Sequence, residues 1–76
     1  MPRFRVVVSD GVHIDTPNEV EMADFDALES LLCLTLTDIM RDEAKPGGLR
    51  SLRADAFDER GAPVMAASIS VSVTRL

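Results

Sequence analysis

A chain of 76 residues has room for one domain, residues 1–76, and a fold this short hides only about 60% of the surface its unfolded form exposes, so oligomerisation is an expected addition to its core. With 46% hydrophobic and 28% charged residues it is no disordered tail, and no apolar run approaches the ~20 residues of a membrane-spanning helix. The net charge of −5 is uneven: no Lys or Arg lies between Arg5 and Arg41, where Asp10, Asp15, Glu19, Glu21, Asp24, Asp26, Glu29 and Asp38 all fall, which predicts one acidic surface, solvated or turned to a basic partner.

The first element is a strand. Phe4, Val6 and Val8 alternate with Arg3, Arg5 and Val7, the period of a half-buried strand, and Asp10-Gly11 follows as a hairpin signal. A short return strand over Val12, His13, Ile14 and Asp15 is expected, stopped by Thr16-Pro17-Asn18, because proline cannot donate to a ladder. From Asp24 the period changes. Phe25, Leu28, Leu32, Leu36 and Ile39 are spaced by three or four and form one helical stripe, with Thr35 and Met40 at its margins. Asp24 is a natural N-cap, Asp26 suits the positive end of the helix, and Lys45-Pro46-Gly47-Gly48 is a stop, giving a helix of about 20 residues.

A third strand follows, with Leu52, Ala54 and Ala56 alternating against Ser51, Arg53, Asp55 and Phe57, and Asp58-Glu59-Arg60-Gly61 supplies the turn. In the last strand Met65, Ala67, Ile69, Val71 and Val73 face one way and Ala66, Ser68, Ser70, Ser72 and Thr74 the other. The order ββαββ predicts an α+β fold, a four-stranded sheet with one long helix packed on one face. A β-grasp-like order, with the first and last strands parallel and central, is preferred because it places the longest strands in the middle; a purely antiparallel order is the other possibility.

The start Met1-Pro2-Arg3-Phe4, Asp10-Gly11, Glu21-Met22-Ala23-Asp24-Phe25-Asp26-Ala27 entering the helix, Asp58-Glu59-Arg60-Gly61-Ala62-Pro63-Val64 and the end Arg75-Leu76 stand in a particular order and spacing. In these motifs the whole chain resembles a small bacterial family of unknown function, domain of unknown function 6894. The resemblance implies no activity, ligand or catalytic residue. Asn18 stands where glycine is frequent in the family, and the helix middle, usually rich in Arg, Glu and Ala, here reads Leu-Leu-Cys-Leu-Thr-Leu over residues 31–36.

That apolar helix middle has more leucine than one sheet can cover. Leu31 and Leu34 lie off the buried arc, with Ala27 one turn earlier and Asp38 and Arg41 at the border. These five residues form the expected surface for a helix-to-helix homodimer, in which small Ala27 permits close approach and Asp38 and Arg41 pair across a two-fold axis.

The inventory for chemistry is thin. No nucleophile, base and orienting group come together, so an enzyme is not expected. His13 near Asp10 and Asp15 is a sparse beginning for a metal or acid-base site, and Cys33 has no basic neighbour within a turn to favour the thiolate. Gly47-Gly48 follows the helix instead of opening it, which leaves phosphate binding unsupported; no cofactor or metal is expected. One cysteine cannot form an internal disulfide, and the opening residues lack the apolar stretch of a secretory signal, so a reducing, cytoplasmic setting is expected.

The wet side of the sheet gathers Arg3, Arg5, Arg53, Ser68, Ser70 and Ser72, with Asp55 as a pairing partner for Arg3 and Arg5. Such a face could receive an acidic peptide or a nucleic acid backbone, although the negative net charge and the lack of Trp and Tyr count against nucleic acid. The leading expectation is a non-enzymatic interaction or regulatory module, self-paired through its helix, with an unidentified protein as a further partner. A nucleic-acid-associated regulator using the Arg and Ser face is the alternative.

Overall fold

The computed structural model describes residues 1–11, 14, 16–43 and 51–76, Glu43 by its backbone alone. Four strands, β1 (Arg3–Ser9), β2 (Asn18–Glu21), β3 (Ser51–Phe57) and β4 (Pro63–Ser70), form one sheet, and helix α1 (Phe25–Glu43) lies between β2 and β3 in the chain. The sheet order is β2-β1-β3-β4 and every pairing is antiparallel. The α+β class and the ββαββ order therefore stand, while the strand order is the antiparallel possibility and not the β-grasp-like one.

Side-chain volume accounts for that order. Ala54 and Ala56 of β3 are 0% exposed and Leu52 is 5% exposed. Two alanines give the helix backbone room to come close, and α1 lies against β3 and β4. Over β1, the larger Phe4, Val6 and Val8 reach up from the sheet to close the same core. β4 alternates well but carries only half-buried apolar residues, which suits an edge and not a centre.

The second strand is displaced from its expected place. Asn18 to Glu21 pairs with Val6 to Arg3, so the segment expected to stop a strand instead leads into one. Val20 lands beside Phe4 and packs on the core, while Glu19 and Glu21 remain exposed. Met22 N–H donates to the Pro2 carbonyl at 3.1 Å and prolongs the ladder. Gly11 does adopt positive φ, +90°, and its N–H is accepted by Ser9 Oγ at 3.1 Å, but the only pairing at the expected hairpin among the described residues is an isolated bridge between Ser9 and Ile14. Val12, His13 and Asp15 lie outside the described residues, as do Lys45 to Gly48.

Asp24 caps α1: its Oδ1 accepts the Ala27 N–H at 2.8 Å, satisfying one of the donors that a helix start leaves free. Leu28, Leu32, Leu36 and Met40 form the buried stripe. Met40, expected at the margin, is thus buried, whereas Phe25 and Ile39, expected in the stripe, are exposed and half-buried. Phe25 opens the helix, is 57% exposed, and sets its ring 6.0 Å from that of Phe4, so only one side of it touches the core.

The β3–β4 turn is built on Asp58. Its Oδ1 accepts the N–H groups of Arg60 and Ala62, each at 2.9 Å, and Gly61 sits at φ +84°, where a side chain would be strained. β4 ends at Ser70, so Ser72 and Thr74 lie past the strand, and Val71 and Val73 are exposed.

Candidate interaction surfaces

The sheet presents one face to α1 and leaves the other open. On the open face the register places Arg3 beside Glu21, Arg5 between Glu19 and Phe57, Asp55 between Val7 and Ala66, Arg53 between Ser9 and Ser68, and Ser51 beside Ser70. Arg3, Arg5, Arg53, Ser68 and Ser70 accordingly share this face; exposed Ser72 continues past the strand end.

The charges here are largely matched within the chain. Arg3 Nε donates to Glu21 Oε1 at 3.1 Å. Asp55 takes Arg53, not Arg3 or Arg5: Arg53 Nε and Nη2 donate to its carboxylate at 3.0–3.1 Å. The two residues are separated by two positions on one strand and so share a face, which is why this pair forms. Hydrogen bonding to Asp55, reinforced by its charge, raises the Arg53 pKa further above its ordinary value. Arg5 places its guanidinium 5.7 Å from the centre of the Phe57 ring. An open groove of about 620 Å³ lies at this end of the sheet, where Arg3, Arg5 and Glu19 meet the β3–β4 turn. Sequence reasoning found the arginines and serines but missed Glu19 and Glu21, because it had not placed β2 in the sheet.

The second surface is the outer side of α1. Ala27 and Leu31 are half-buried, Leu34 is 63% exposed, and Asp38 and Arg41 are exposed and joined within the chain at 3.5 Å. At 100° per residue Ala27, Leu31, Leu34 and Asp38 run along the side of α1 turned away from the buried stripe, with Ser30 and Thr37 on one side of them and Asp42 on the other. Thr37 Oγ1 donates to the Cys33 carbonyl at 2.8 Å, occupying its hydroxyl within the helix.

Among the described residues no three His, Cys, Asp or Glu side chains cluster as a metal site would require, and no helix is long and apolar enough to cross a membrane. The imagined site at His13 and Asp15 lies outside those residues. Cys33 is exposed and free.

A family model described as Domain of unknown function (DUF6894) matches residues 3–70, which takes in every strand and the helix. No curated protein and no solved structure matches the chain.

Proposed function

The chain belongs to the DUF6894 family, whose function is unknown, and from its surfaces we propose a small non-enzymatic interaction or regulatory module that pairs with a second copy of itself through one flank of α1. The observation that carries this reading is Leu34, 63% exposed while Leu32, two residues earlier, is 1% exposed. Ala27, Leu31, Leu34, Asp38 and Arg41 follow one another by four, three, four and three residues, the spacing of a seam between two helices. Ala27 lets the helices approach, the leucines fill the seam, and the Asp38 and Arg41 side chains, both exposed, can exchange their partner within the chain for its counterpart in the other copy.

The open sheet face supports a nucleic-acid reading less well. Two of its three arginines are held by Glu21 and Asp55, so few positive charges remain for phosphates. Salt-sensitive binding to a random duplex would favour that reading.

The test is the solution mass of Leu34→Glu beside the unaltered chain. The reading expects the glutamate to weaken self-association while leaving the fold intact, because Leu34 contributes little to the core. An unaltered chain that is monomeric at high micromolar concentration ends it.

A further inference from the structure

The two edges of the sheet are guarded very differently. β2 is four residues long and points Glu19 and Glu21 outward, the usual means of keeping a stranger from adding to a sheet. β4, the other edge, is eight residues long, and between Arg60 and Arg75 the sequence has no charged residue at all. Pro63 protects only its first position.

β4 also leaves apolar surface uncovered. Met65, Ala67 and Ile69 pair with Ala56, Ala54 and Leu52, which are buried, yet these three stay only half-buried. The alternation then continues beyond the strand: Val71 is 39% exposed and Val73 71% exposed, and among the described residues the last pair with β3 is Ser51 with Ser70. The chain therefore carries a strand-like, uncharged overhang with no neighbour in the described sheet.

We propose that a second copy of this chain adds to the β4 edge, the two β4 strands running antiparallel about a two-fold axis at Ile69 to make one eight-stranded sheet. In that register Val71 lies opposite the partner's Ala67 and Val73 opposite the partner's Met65, all on the helix-covered face. Ser70 lies opposite the partner's Ser68 and Ser72 opposite the partner's Ala66 on the open face. The overhang of each copy thus finds the outer hydrogen-bonding edge of the other's β4. The register favours a second copy as this occupant: about the axis at Ile69 apolar residues meet apolar ones on one face and small residues meet small ones on the other, and residues 61–74 bring no charge to oppose its like. The contact is separate from the flank of α1 and does not depend on it.

Four forms measured by sedimentation equilibrium test the proposal: the unaltered chain, Leu34→Glu, Ser68→Lys/Ser70→Lys, and the three substitutions together. Ser68 and Ser70 are exposed, so the lysines spare the core, and they bring the net charge closer to zero than −5, so lost pairing reflects the edge and not general repulsion. In the register given, each lysine faces the other across the axis. Leu34→Glu should remain a pair, the double-lysine form should keep whatever pairing α1 provides, and the triple form should be a single chain. The amides of residues 71–74 should exchange with solvent at least about tenfold more slowly in Leu34→Glu than in the triple form. A monomeric Leu34→Glu with fast exchange there, or a triple form that still pairs, overturns the edge contact. A monomeric double-lysine form beside a paired Leu34→Glu instead refutes the helix contact and leaves the edge standing.

Discussion

Replacing Leu32 and Leu34 with alanine, one at a time, separates what the fold requires from what a second copy requires. Leu32 is 1% exposed, and deleting a leucine from a packed core costs about 2–5 kcal/mol. At ~0.05–0.15 kcal/mol per residue, a chain of 76 residues has about 4–11 kcal/mol in total, so this one change removes a large share of it. Leu34 is 63% exposed, and that share of the about 1.5–3 kcal/mol for full burial of a leucine leaves at most about 1–2 kcal/mol for a partner to gain. Counted for both copies, its loss weakens the pair by up to about 30- to 1,000-fold in Kd, while the single chain loses about 0.5 kcal/mol or less. Denaturant unfolding at a low and a high protein concentration reads both effects. Leu32→Ala should lower the midpoint equally at each concentration, and Leu34→Ala should lower it much more at the high one than at the low one. If Leu34→Ala is as damaging as Leu32→Ala in dilute solution, Leu34 belongs to the fold and the reasoning fails.

Asp24→Ala removes the side-chain acceptor of the Ala27 N–H, so thermal unfolding should show a loss of about 1 kcal/mol, or roughly 4–8 °C, and Asp24→Asn should keep most of it. Gly61→Ala forces a side chain to φ +84° and should cost about 1–2 kcal/mol by denaturant midpoint, although nothing lies within 4 Å of the added methyl; an unchanged midpoint would mean that the turn relaxes freely. Ala56→Leu crowds a position with 0% exposure and should cost about 1–3 kcal/mol or more in the same assay, since the close approach of helix and sheet has no room for it.

The elements that could be read in the sequence are those whose local chemistry and packing agree. Asp24 before an apolar stripe of period 3.6 marks the helix start, and the alternation through Leu52, Ala54 and Ala56 marks β3 and its buried face. β2 was hidden because Asn18-Glu19-Val20-Glu21 has one apolar residue; it forms because β1 needs a neighbour and Val20 reaches the core, which are tertiary causes. Strand order was also out of reach of periodicity, which tells which face is buried and not which strand lies alongside. The clue was volume: two fully buried alanines in β3 mark a strand that lies beneath the helix, whereas the clear alternation of β4 drew it wrongly to the centre. For the candidate surfaces, the arginines and serines of the open face could be grouped by parity. Their carboxylate partners could not, because Glu21 joins Arg3 only once β2 is placed.

Central to this account is a fold that leaves apolar surface on the flank of α1 and along β4 for a second copy to cover. Sedimentation equilibrium of the unaltered chain, from low to high micromolar concentration, addresses this most directly. The average mass should climb above the 8.3 kDa of one chain as concentration rises. A mass of 8.3 kDa across the whole range contradicts this expectation.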